Sequence, residues 1–145
     1  MYSTGINYMK NRIFIDSNIW LYIFLEEEGA KTEAAKQFIS NKVNEDTLVI
    51  SFQVINEVCN ILKRKNASEY VIRETISLLL KICIIQNFTG EVLLLASSIR
   101  EEYSFSYWDS LIVASAGISG CDMIVSEDMQ DGQCIKNIKI KNIFM

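Results

Sequence analysis

The sequence predicts an α/β domain built on a mostly parallel sheet, and three observations lead to it. Short runs rich in β-branched residues recur at residues 12–16, 48–50, 82–86 and 123–125. Longer segments with apolar residues at helical spacing lie between them. Strands joined by helical crossovers run parallel and are covered on both faces. The 145 residues, half of them apolar and 22% charged, suit one domain with a sizeable core. A single domain over residues 1–145 is expected, with the polar segment 1–11 flexible.

Each element has its own signal. Residues 12–16, RIFID, read as a buried strand stopped by the turn-prone pair Ser17-Asn18. A helix follows over 19–25 and ends in Glu26-Glu27-Glu28-Gly29. A second helix covers 31–43, with Ala34, Ala35, Phe38 and Ile39 on its apolar face. Leu48-Val49-Ile50 is the second strand. Ser51 is placed to cap a helix over 52–65, whose stripe is Val54, Ile55, Val58, Ile61 and Leu62. Ser68 caps a helix through Lys81, with Val71, Ile72, Ile76, Leu79 and Leu80 expected inward. Residues 82–86 form a third strand, and Thr89 caps a helix over 90–102. A further helix over 108–119 stops at Gly120, and 123–125 is the fourth strand. Alternation over 135–144 predicts a final edge strand, with Lys136, Lys139 and Lys141 along it.

Composition removes several classes of chemistry. The chain has no histidine, so Ser-His-Asp and Cys-His mechanisms and histidine-bearing zinc sites are excluded. It has no proline, so turns rest on Gly, Asn, Asp and Ser. Cys59, Cys83, Cys121 and Cys134 form no C-x-x-C pair, and three sit in apolar contexts. They read as free thiols of a reducing cytoplasm. No apolar run is long enough for a membrane span, and no signal peptide is expected. A net charge of −4 argues against metal-free electrostatic binding of nucleic acid.

Four acids stand out, each flanked by apolar segments at an element end or start. They are Asp16 in RIFID, Glu57 in SFQVINEV, Asp109 in YWDSLIVASA and Asp128 in IVSEDMQDG. Each has an ordinary reading beside it. Asp16 suits a helix N-cap, and Asp109 a first-turn acid three residues after Ser106. Glu57 on the flank of its stripe can reach Lys63 or Arg64, and Asp128 lies in an acidic turn. In an open α/β sheet, however, all four placements are compatible with one cleft beyond the carboxyl ends of the strands. Gathered carboxylates cannot satisfy one another, but a hard divalent cation can. Mg²⁺ or Mn²⁺ held by oxygens suits phosphodiester hydrolysis without histidine. Ser126 and Asn18 are candidate supporting residues. Asp131 is a candidate fifth ligand or a turn former before Gly132, and Glu127 is expected to face solvent.

In that order, the motifs FIDSNIWLY, INEVCNIL, YWDSLIVASA and IVSEDMQDGQ resemble the PIN-domain family, and most closely its VapC-type toxin ribonucleases. The likeness runs from about residue 12 to residue 144. It matches Asp16, Glu57, Asp109 and Asp128 to the family's acids, and Ser126 to its T/S-x-D element. The resemblance implies a three-layer α/β/α sandwich, Mg²⁺- or Mn²⁺-dependent cleavage of RNA, a cognate antitoxin protein that blocks the site, and a homodimer. A non-catalytic PIN-like binding or scaffold module with purely structural acids is the rival from another class. A haloacid-dehalogenase-like phosphatase would need an acid where Asn18 stands. Among residues suited to RNA, the run Lys63-Arg64-Lys65 reads first as a helix C-terminus favoured by the dipole. Arg100, Tyr107 and Trp108 are candidates for phosphate or base contact, although core or interface packing is the expectation for Trp108. Trp20, Tyr22 and Phe24 are expected in the core, with a dimer or antitoxin surface as the alternative.

Overall fold

The computed structural model describes residues 10–145. Most of the segment expected to be flexible, residues 1–9, lies outside them. The chain forms β1 (Arg12–Ile15), α1 (Ser17–Leu25), α2 (Gly29–Glu45), β2 (Thr47–Ser51), α3 (Phe52–Arg64), α4 (Glu69–Ile82), β3 (Cys83–Gln86), α5 (Gly90–Glu102), α6 (Tyr107–Ile118), β4 (Met123–Val125), β5 (Cys134–Ile135) and β6 (Ile138–Lys141). One six-stranded sheet runs in the order β3-β2-β1-β4-β6-β5. Its pairings are parallel, apart from the antiparallel β5–β6 pair at one end.

The expected α/β architecture with a central, mostly parallel sheet is therefore present, flanked by helices. Phe14, Ile15, Val49, Ile50, Ile124 and Val125 are fully buried, as strands covered on both faces require. Trp20 is also in this core, and its indole N–H donates to the Ile15 carbonyl at 3.3 Å. Ser68 and Thr89 act as N-caps as expected, accepting from the amides of Val71 and Val92 at 3.2 Å each. Along the chain the connections step outward from β1 to β2 and β3. They then cross back to β4 on the other side of β1. The carboxyl ends of β1 and β4 thus flank a topological switch point, where open α/β sheets form their clefts.

Several expectations are corrected. The tail is not a single edge strand. Lys136 and Asn137 both adopt left-handed backbone (φ 46° and 72°), which closes a two-residue hairpin. β6 thereby becomes an interior strand against β4, and β5 takes the edge. The alternation was read correctly, since Ile138 and Ile140 are buried while Lys139 and Lys141 face out. In α4 the inward stripe is Ile72, Thr75 and Leu79. Val71 and Leu80, one residue outside that stripe at either end, are turned about 100° away and are 44% and 50% exposed. Ser51 holds the N-cap position of α3 but makes no capping bond. It is still the last residue of β2, paired with Gln86, and its hydroxyl is enclosed.

Candidate functional site

Asp16 follows β1 directly and is 6% exposed. Its backbone amide donates to the Val125 carbonyl at 3.0 Å, continuing the β1–β4 register. Its Oδ1 accepts from the Ser17 amide at 2.8 Å, so it does cap α1. Its Oδ2 accepts from the Ser126 hydroxyl at 2.8 Å. Ser126, fully buried at the end of β4, also accepts from the Asp128 amide at 3.1 Å. Asn18 completes the link between the two strand ends. Its Nδ2 donates to Asp128 Oδ2 at 3.1 Å, and its Oδ1 accepts from the Glu127 amide at 3.2 Å. One serine and one asparagine thus hold Asp16 and Asp128 in a shared network.

Glu57 and Asp109 come from helices. α3 starts at the carboxyl end of β2 and carries Glu57 past that edge. α6 leads into parallel β4, so its first turn lies at the same edge, with Asp109 there. The Ser106 hydroxyl accepts from the Asp109 amide at 3.1 Å and fixes that turn.

The electrostatics tie the four acids together. Burial drives the Asp16 carboxyl up to about 6, against lowering by Ser126 and Ser17, and the charges of Glu57 and Asp128 add to the rise. Glu57 is raised by burial, lowered by the Ser17 and Gln53 side chains, and raised again by Asp109 and Asp128. Asp109 is raised by burial, opposed by Ser106, with Asp128 adding to the rise. No lysine or arginine forms an ion pair with any of the four among the described residues. As they stand, no three acidic or cysteine side chains among those residues are disposed to hold a metal ion. The fit to a hard cation therefore rests on the chemistry of the donor set, four carboxylates with no ion-pair partner among the described residues.

The remaining candidates separate. Asp131 Oδ1 accepts from the Asn142 amide at 2.8 Å, which makes it a turn former tying the acidic loop to the chain after β6. Glu127 does not face solvent as expected. It accepts from the Tyr22 hydroxyl and pairs with Lys31, whose ammonium also lies over the Phe144 ring. Trp108 is not core packing either, being 58% exposed. The buried face of α6 begins only at Ser110, so its first turn overhangs the sheet. Lys63 and Lys65 pair with Glu69 and Glu27. Arg100 donates to the Ser110 hydroxyl at 2.7 Å.

Sequence reasoning missed two features. Ser17 serves both Asp16 and Glu57, though it registered only as a turn residue. A cleft of about 510 Å³ beside Glu57 is lined by Phe52, Gln53, Asn56, Asn60, Phe88 and Trp108. Nothing in the sequence near Phe88, a loop residue, marks it.

The profile of the PIN domain matches residues 13–130. Comparison with curated protein sequences gives no match. Among solved structures the chain resembles the Mycobacterium tuberculosis protein VapC20, described as a Sarcin-Ricin loop cleaving toxin. That likeness has 18% identity and a TM-score of 0.63, over 77% of this chain and 86% of that one. VapBC2 of Rickettsia felis, bound to a DNA fragment from its promoter, matches with 16% identity and a TM-score of 0.70, over 90% and 98% of the two chains. DNA-bound VapBC of Salmonella typhimurium matches with 15% identity and a TM-score of 0.69, over 92% and 98%. At such identities the likeness is one of fold.

Proposed function

The chain belongs to the PIN-domain family, and on that premise we propose that it is a metal-dependent endoribonuclease, the toxin of a type II toxin–antitoxin pair. One observation carries the reading. Asp16, Glu57, Asp109 and Asp128 come from four separate stretches of sequence and lie at the carboxyl edge of the sheet; burial and neighbouring acids raise the proton affinity of Asp16, Glu57 and Asp109, and none of the four has an ion-pair partner among the described residues. The likeness in fold to proteins described as a cleaving toxin and as VapBC complexes supports the toxin role.

In this proposal Asp16, Asp109, Asp128 and Glu57 hold Mg²⁺ or Mn²⁺. When bound, such an ion supplies charge for the phosphate and lowers the pKa of attacking water. The residues of the chain do the positioning. Ser126 holds the Asp16 carboxylate in place, Asn18 fixes Asp128, and the Ser106 cap presents Asp109. Asp131 acts through its turn and is not a ligand. The substrate is RNA. The partners are a cognate antitoxin that covers the acids and a second copy of the chain. The compartment is the cytoplasm, supported by the free cysteines; burial pushes Cys83 and Cys121 up to about 12, as inert thiols. No helix among the described residues is long and apolar enough to cross a membrane.

The experiment is Mg²⁺-dependent cleavage of RNA by the chain freed of any bound inhibitor. Asp16→Asn and Asp109→Asn are each expected to reduce it by about a hundredfold or more with unchanged circular dichroism. Wild-type cleavage by both variants, or undiminished cleavage in EDTA, rejects the proposal. The scaffold reading has its own support, because Asp16 also caps α1 and Asp109 sits in a capped first turn. Calorimetry separates the two: no heat with Mn²⁺ together with no cleavage favours the scaffold.

A further inference from the structure

The cleft beside Glu57 is unlike the rest of the surface. Phe52, Phe88 and Trp108 are 47%, 40% and 58% exposed, and all three wall the same hollow. They come from α3, from the loop after β3 and from α6, so only the fold brings their rings together. Single exposed apolar residues need no explanation, but a gathered set with polar groups between marks a binding surface. The uncharged polar groups are the carboxamides of Gln53, Asn56 and Asn60, spaced along α3, the last two one helical turn apart. Each offers a donor and an acceptor. Glu57 is the one charged residue of the lining, and there is no lysine or arginine. Such a hollow repels phosphate and suits a neutral, flat, hydrogen-bonding heterocycle.

Trp108 also has an aromatic neighbour on its own helix. Tyr107 lies edge-on to it, with ring centroids 5.2 Å apart, and the Arg100 guanidinium is 4.5 Å from the centre of the Tyr107 ring.

We propose that this cleft is a nucleobase subsite, which takes one unpaired base of single-stranded RNA between Trp108 and the Phe52 and Phe88 rings beside the four acids. The subsite makes the substrate single-stranded, because a base in a duplex cannot enter it. The carboxamides of Gln53, Asn56 and Asn60 meet the edge of the base. The inference rests on the nuclease reading only for what happens to the bond next to that base.

The test is a two-by-two comparison of binding with Ca²⁺ in place of Mg²⁺, so that the acids are neutralised while cleavage is held off. Wild type and Trp108→Ala are titrated with a single-stranded RNA of about ten nucleotides and with copies carrying one abasic position, scanned along the strand. Loss of a stacked base is expected to weaken wild-type binding by about tenfold or more at one position. Trp108→Ala is expected to bind the intact strand about as weakly as wild type binds that abasic copy, with no further loss there, and Trp108→Phe to restore most of the affinity. Trp108 is exposed, so its removal leaves the core untouched. Equal binding of intact RNA by wild type and Trp108→Ala overturns the subsite. So does a loss that persists unchanged with every abasic copy, or a Trp108→Ala defect confined to a protein partner. A chain that passes this test but cleaves no RNA with Mg²⁺ keeps the subsite and loses the nuclease reading. A chain that cleaves but is indifferent to Trp108 does the reverse.

Discussion

Asp16 sits where water cannot reach it well, with two hydrogen bonds and no counter-charge. Its folded-state pKa is about 6 against an ordinary 3.8. Between those values the folded chain binds more protons than the unfolded one. Stability therefore falls as pH rises from about 4 to 6 in the absence of metal, by roughly 3 kcal/mol at most. Asp16→Asn removes that titration. In EDTA the variant is expected to show a flattened dependence of melting temperature on pH in this window, and to melt above wild type at pH 7.5. Parallel profiles for the two proteins would show that Asp16 is not desolvated. Ser126, expected as a supporting residue, holds the Asp16 carboxylate and the Asp128 amide together. Ser126→Ala leaves that buried carboxylate oxygen without its donor and is expected to cost about 1–3 kcal/mol by urea denaturation. No local pattern could have indicated this bond, because 110 residues separate its partners.

At the scale of elements, caps place function. The Ser106 hydroxyl holds the first turn of α6 and with it Asp109, while Ser68 makes the same bond at the start of α4, beyond the end of α3. Ser106→Ala and Ser68→Ala should each lose about 1 kcal/mol of stability in urea. Only Ser106→Ala should also weaken Mn²⁺ binding by calorimetry. Equal metal affinity in both variants would detach Asp109 from the metal. These caps were readable because serine or threonine before an apolar-periodic run is a local signal. The Ser51 cap failed because its residue is claimed by the β2–β3 ladder. The tail strand failed because two consecutive left-handed residues, Lys136 and Asn137, reverse the chain without a glycine between them.

At the scale of the molecule, the proposed cation binding has a consequence for stability. Mg²⁺ or Mn²⁺ that binds only the folded state is expected to raise the melting temperature as concentration increases, by about 2.7 kcal/mol of stability at a hundredfold excess over Kd. Asp16→Asn should blunt that rise. A wild-type melting temperature indifferent to either ion would leave the four acids structural. The Glu127, Tyr22 and Lys31 cluster adds a fixed wall to the acidic loop, joining it to α1 and α2.

The helices, the first four strands and the mostly parallel sheet were legible locally, and the four acids could be singled out as candidates there, because hydrophobic period, capping residues and short motifs are properties of neighbouring residues. The same neighbourhood could not say which side of β1 receives β4, or that Asn18 would reach Asp128. Nor could it say that rings from α3, a loop and α6 would enclose one hollow. Those outcomes depend on contacts between residues far apart in the chain. They are chosen by packing two faces of one sheet at once, and only the folded molecule makes that choice.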